Sequence, residues 1–324
     1  MTRRAASRWS VPIALAIAGI SLSGCGGDAP AAVVAKREQG PQWQDVFDGT
    51  PELFAVVRPQ AIKKDPVYGP FFKTLLRIAE ARTQMGGVTA LEALDGADEI
   101  IVGIRRDKEA EDAAIVIRGV PANLDPEKMN DQGGRPLFGL VDNRAKVHEY
   151  DVLDKRAVPS GSVFVLADRT WVVALGTARA RARQAFASPF GRPAPKFDAE
   201  ALASVRVDAA AFLRTERFAK LSFFGALLRK LSSATLALLP AKAGVIATLR
   251  YADEDSSAFS EMQVKRLVEE LGHLDPERAK AWRAFTWLKD ATVTHDGATL
   301  IVKLPVPARL LEELPNASAG DIPL

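Results

Sequence analysis

Glu99-Ile100-Ile101-Val102-Gly103-Ile104-Arg105, the charged run Arg106-Asp107-Lys108-Glu109, and Ala113-Ala114-Ile115-Val116-Ile117-Arg118-Gly119-Val120 decide the fold class. Two β-rich runs this short, parted by a few charged residues, read as neighbouring strands. So short a connection makes the pair antiparallel, because a parallel pair needs a long crossover. Working outward, Leu53 to Arg58 reads as a strand. Phe71, Phe72, Leu75, Leu76 and Ala79 have the spacing of an amphipathic helix, with Pro66 and Pro70 ahead of it or in its first turn. Asp125-Pro126-Glu127 starts a short helix, with Asp as N-cap and proline at the first position. Ser162 to Leu166, the turn Ala167-Asp168-Arg169, and Thr170 to Leu175 form a hairpin, followed by a helix over Ala178 to Ala187.

The remainder of the chain repeats this order. Ala201 to Val207 is a strand, and Phe218, Leu221, Gly225, Leu228 and Leu231 share a helix face. Thr235 to Leu239 and Val245 to Tyr251 are two strands around a tight connection, followed by a helix carrying Val264, Leu267, Val268 and Leu271. Thr292 to Thr294, His295-Asp296-Gly297, and Thr299 to Leu304 form a second hairpin, with Asp-Gly as a turn signal. Ala308 to Leu314 is a closing helix. Both halves therefore read β-α-β-β-α-β-β-α. The expected class is α+β, with two tandem modules that read as a duplication, each a mainly antiparallel sheet packed with helices. Such sheets often bury one face and leave the other wet. The boundaries are 43–187 and 198–314, with a Pro- and Gly-punctuated joint at 188–197 and a tail at 315–324.

Hydrophobic residues make up 48% of the 324 and charged residues 26%, a globular balance. The formal net charge of +3 comes from Arg3, Arg4 and Arg8 at the start of the chain; without them the remainder is neutral. A neutral body lacks the basic excess of a nucleic-acid binder. Those arginines precede an apolar stretch over residues 11–22, too short to span a ~30 Å hydrocarbon core as a helix but right for a signal sequence. It ends in Leu22-Ser23-Gly24-Cys25. That tetrapeptide resembles the lipobox of bacterial lipoproteins, with Leu at −3, small residues at −2 and −1, and the required Cys.

The resemblance implies removal of residues 1–24 by cleavage between Gly24 and Cys25, a diacylglycerol on the Cys25 thiol, and commonly an acyl chain such as palmitate on the new amine. The competing reading is an ordinary signal peptide with an incidental Cys. Two or more acyl chains give stable membrane attachment, whereas one binds only marginally. Gly26 stands where an inner-membrane retention signal would place Asp, so the resemblance favours the outer membrane. Cys25 is the only cysteine, which excludes a disulfide within one molecule. Residues 26–42 read as a flexible tether with a reach of about 25 Å. The two-part body also resembles uncharacterised bacterial lipoproteins built from two tandem α+β modules, a likeness of architecture that carries no activity.

Catalytic chemistry is hard to find. His148, His273 and His295 are scattered, without a His-x₃-His or His-Glu-x-x-His pair. No Gly-x-Ser-x-Gly, Ser-x-x-Lys or phosphate-loop pattern occurs. Asp253-Glu254-Asp255 reads as the acidic start of a helix, since a calcium loop would need Gly at position 6 and Glu at position 12. Arg179, Arg181 and Arg183 would suit an anion patch, but on a helix Arg179 and Arg183 share a face while Arg181 points nearly opposite, so they do not converge and read as a solvated helix. Trp282, Phe285 and Trp287 pack in the core or form an aromatic rim for a ligand or partner.

The sequence thus supports a non-catalytic, lipid-anchored envelope protein that binds a protein partner or polymer, with no cofactor and no metal. A periplasmic carrier for an apolar ligand is the alternative, and an enzyme with an unrecognised site is the third reading.

Overall fold

The computed structural model describes residues 42–306 apart from 48–50, 71, 73–92, 107–110, 131–133, 145, 154–158, 189–196, 210–229, 241–243 and 274–288. Its strands are β1 (Leu53–Val57), β2 (Glu99–Arg106), β3 (Glu111–Arg118), β4 (Phe138–Arg144), β5 (Val147–Leu153), β6 (Pro159–Leu166), β7 (Thr170–Leu175), β8 (Ala203–Asp208), β9 (Leu231–Leu238), β10 (Val245–Tyr251), β11 (Thr292–Asp296) and β12 (Thr299–Leu304). The helices are α1 (Pro59–Lys64), α2 (Ala178–Ala187) and α3 (Glu254–Gly272), with 3-10 turns at Trp43–Val46 and Pro126–Lys128.

All twelve strands join one antiparallel sheet in the order β11-β12-β10-β9-β8-β1-β2-β3-β7-β6-β5-β4. The class is mixed, with a large antiparallel sheet and few helices among the described residues. The two halves do not form separate sheets: β1 and β8 pair along their length, from Leu53 opposite Val207 to Val57 opposite Ala203. Outward from that pair, one side runs β1-β2-β3-β7-β6 and the other β8-β9-β10-β12-β11.

Contrary to the expectation of one wet face, the β2–β3 region is covered on both. Ile100, Ile101 and Val102 are 6%, 1% and 4% exposed although they alternate in direction. That is why the two strands read as unbroken apolar runs without polar alternation. The back face carries Phe54, Val56, Val116, Phe164 and Val172 beneath α2 and the Trp43–Val46 turn. Phe47 meets Phe54 edge-on at 5.0 Å, and Phe54 stacks on Phe197 at 5.0 Å. Gly103, opposite Phe54, makes room for this cluster; a Cβ there would lie 2.5 Å from the Phe47 ring.

The front face carries Ala55, Ile100, Val102, Ile115, Ile117 and Val205, covered by Ala93, Ala97 and Met129. It continues into the second half, because Val205 lies directly opposite Leu236 and cross-strand partners share a face. There α3 lays Val264 and Val268 against Leu300 and Val302. The helix starts where the acidic run predicts it: Asp253 is the N-cap and accepts from the Ser256 amide at 2.8 Å. Bonds from Ser256 and then Lys230 hold the Asp253 carboxyl down at about 2. The outer side of α3 exposes Phe259 and Met262.

Three readings need correction. Leu231 opens β9 instead of closing a helix. The β4–β5 hairpin was not expected; it carries a register shift between Leu140 and Asp142. The arginines of α2 do not form a solvated face. Arg181 makes two bonds to Asp112, Arg179 reaches Asp151 at 2.5 Å, and Arg183 reaches Glu149 at 2.6 Å. The helix is pinned to β3 on one side and β5 on the other. The helices expected around Phe71, Phe218, Ala281 and Ala308, and most of the 188–197 joint, lie outside the described residues.

Candidate functional site

A cleft of about 330 Å³ opens at the end of the sheet where β1, β2, β3 and the β6–β7 turn come together. It is lined by Arg58, Asp98, Glu99, Arg118, Gly119, Asp168, Arg169 and Thr170. Register explains the convergence. Glu99 is the Cα partner of Arg118, and Arg58 follows Val57, which pairs with Ile100. Three strand ends therefore present Arg, Glu and Arg side by side on the back face.

Glu99 is held from both sides, by Arg58 Nε at 3.3 Å and Arg118 Nη1 at 2.9 Å. Arg58 also donates to the carbonyls of Asp198, Ala199 and Ala201, tying the approach to β8 onto the end of β1. Arg118 is more open, with 46% of its side chain exposed, and its guanidinium lies 5.8 Å from the Trp43 ring centroid.

The far wall is a three-residue hairpin loop between Leu166 and Thr170, whose registered pairing closes the turn. Asp168 accepts from the Thr170 amide at 3.2 Å. Arg169 takes the left-handed position of such a loop, at φ 60°. A non-glycine residue there costs about 1–2 kcal/mol. The Arg169 carbonyl accepts from the Val120 amide at 3.1 Å, which brings the turn against the end of β3. Gly119, at φ 74°, supplies the bend below; a Cβ there would sit 2.2 Å from the Asp98 carboxylate. The guanidinium of Arg169 and the carboxylate of Asp98 are both exposed and make no ion pair among the described residues.

The residues singled out from the sequence fall elsewhere. Gly24, Cys25, Trp282, Phe285 and Trp287 lie outside the described residues. The three histidines are not brought together. His148 is half-buried on β5, His273 caps α3, and His295 on β11 places Nδ1 2.7 Å from Glu261. Lys265, and then His295, hold the Glu261 carboxyl below the ordinary carboxylate range. No group of three potential metal ligands occurs among the described residues.

A second polar cluster lies under α2. Ser162 is wholly buried between Glu149 and Asp151, at 3.1 and 3.2 Å, and accepts from Arg179 Nε at 3.0 Å. Each carboxylate is bound by an arginine as well. That arrangement locks the serine within a network and exposes none of it to a substrate.

No protein-family model matches the chain, and no curated protein is significantly similar. Among solved structures it resembles crystal form III of TP0453, a Treponema envelope lipoprotein, with a TM-score of 0.51 and 11% identity. The match covers 87% of this chain and 100% of that one. Crystal form IV matches with a TM-score of 0.47 and 11% identity, over 85% of this chain and 97% of that one. At such identity the likeness is one of fold. Among the described residues, no helix is long and apolar enough to cross a membrane.

Proposed function

We propose that the protein is a lipid-anchored lipoprotein of the bacterial cell envelope and that its body is a non-catalytic binding module. Leu22-Ser23-Gly24-Cys25, behind three arginines and a short apolar run, is the observation that carries the address. The outer membrane is the favoured destination, with Gly26 after the modified cysteine. The fold it shares with an envelope lipoprotein is in keeping with that address. Binding is favoured over catalysis because Glu149 and Asp151, the carboxylates that flank the buried Ser162, are both engaged by arginines. It is favoured over carriage of an apolar ligand because the cleft described above has a charged lining.

Metabolic labelling with a fatty-acid analogue tests the anchor. The wild type takes up the label, and Cys25→Ser loses it completely because Cys25 is the only thiol. Equal labelling of the two would end the lipoprotein reading.

We also propose that the halves descend from one duplicated unit. The support is the matching strand order on either side of β1·β8. In addition, the segments after β3 and after β10 cover the same sheet face, through Met129 and through Val264 and Val268. In an experimental structure, β1-β2-β3-β6-β7 should superpose on β8-β9-β10-β11-β12 in that order. Long helices after β1 and β8 on opposite faces of the sheet would refute common descent.

A further inference from the structure

The cleft beside Trp43 brings together charges of both signs. Of its three guanidiniums, Arg58 is spent on Glu99 and on three backbone carbonyls. Arg118 gives one nitrogen to Glu99 and stays about half exposed. Arg169 has no ion-pair partner among the described residues, although its backbone is held in a conformation that glycine adopts at no cost. The β11–β12 turn has Gly297 in the left-handed region, at φ 51°. Keeping arginine in such a place sets a guanidinium with no ion-pair partner among the described residues at the cleft, at some cost in backbone energy, a pattern that concentrates at binding sites. On the same rim, the Asp98 carboxylate lies over Gly119 and Asp168 is exposed. A ligand carrying only negative charge would meet both carboxylates, and one carrying only positive charge would meet the arginines. The lining suits a ligand with both charges a few ångströms apart.

We propose that this cleft binds the phosphoethanolamine group, with the phosphate on Arg118 and Arg169 and the primary ammonium on Asp98 and Asp168. Arginine matches phosphate through paired N–H donors, and an ammonium offers three donors to carboxylates. Position favours a membrane source for the group. Trp43, which lies against Arg118, follows Cys25 by 18 residues, and under the lipid-anchored reading a tether of that length gives an r.m.s. separation of about 25 Å between cleft and bilayer. That last step rests on the lipid-anchored reading; the binding chemistry does not.

Calorimetric titration of the full lipidated chain in detergent tests the proposal. The probes are free phosphoethanolamine, inorganic phosphate, ethanolamine, and short-chain phosphatidylethanolamine, phosphatidylcholine and phosphatidylglycerol. Phosphoethanolamine-bearing ligands should bind about tenfold or more tighter than the other probes, the difference of one charge-assisted bond. Arg169→Gly, which keeps the turn, should weaken them by about tenfold, with thermal unfolding unchanged or raised. Asp98→Asn should abolish the preference over phosphatidylcholine and phosphate while leaving phosphate binding in place.

Tighter binding of the lipid than of the free group identifies a membrane headgroup as the source, and the reverse identifies a soluble ligand; both support the site. Equal affinity for all phosphate probes, no binding, or binding indifferent to both substitutions would overturn it. None of these outcomes depends on the Cys25 labelling result, so the two readings fail separately.

Discussion

Replacing Arg181 with methionine lowers the unfolding free energy by about 3–5 kcal/mol, the usual cost of leaving one partner of a buried pair uncompensated. Asp112 is 3% exposed and receives two bonds from this guanidinium across the gap between α2 and β3. Without Arg181 the carboxylate is left buried without its ion-pair partner, which destabilises the native state. Denaturant titration reads the loss as a lower midpoint at unchanged slope. Adding Asp112→Asn to the methionine variant should recover part of the loss, because a neutral amide is cheaper to bury than an orphaned charge. A loss below about 1 kcal/mol would show that the pair behaves like a surface contact.

Phe164→Ala should cost about 3–5 kcal/mol, through lost burial and the cavity that remains. The ring is 1% exposed on β6 and meets Phe186 of α2 with centroids 5.2 Å apart. As a control, Phe259→Ala on the outer side of α3 removes a side chain that is 45% exposed and should change stability by no more than about 0.5 kcal/mol. The Phe164 and Arg181 effects should not add, since both residues hold α2 against the sheet.

The strand runs themselves were legible. Leu53 to Val57, Ile100 to Ile104, Ala113 to Ile117 and Val245 to Tyr251 carry enough apolar β-formers to mark them without help from the rest of the chain. The β4–β5 hairpin was hidden by its bulge. An extra residue at Val141 sets two exposed apolar side chains, Leu140 and Val141, in succession and breaks the alternation before the polar run Asp142-Asn143-Arg144. Leu231 reads as helix from its spacing to Leu228, while the backbone has already turned at Lys230, with φ 62°.

The α2 arginines show a different limit. Their directions around the helix could be read from spacing, but their carboxylate partners lie 28 to 69 positions away. The cleft was invisible for the same reason. It is assembled from Arg58, Asp98, Arg118 and Arg169, residues that share no motif and meet through strand register and the docking of the β6–β7 turn against the end of β3. Nor could a local pattern reveal that β1 and β8 join the halves into one sheet, because each run would look the same as an outer strand.

That joining strand has a consequence for how the chain must be made. Synthesis proceeds from the N-terminus, so β1 emerges long before β8, its partner some 150 positions later. Until then Phe54, Ala55, Val56 and Val57 have ladder partners on one side only, and the unfinished half presents an apolar strand with free amides and carbonyls. A nascent first half is therefore an adhesive intermediate, able to recruit any extended segment in its vicinity. Closure by the second half ends that exposure, and chain order makes it a late event.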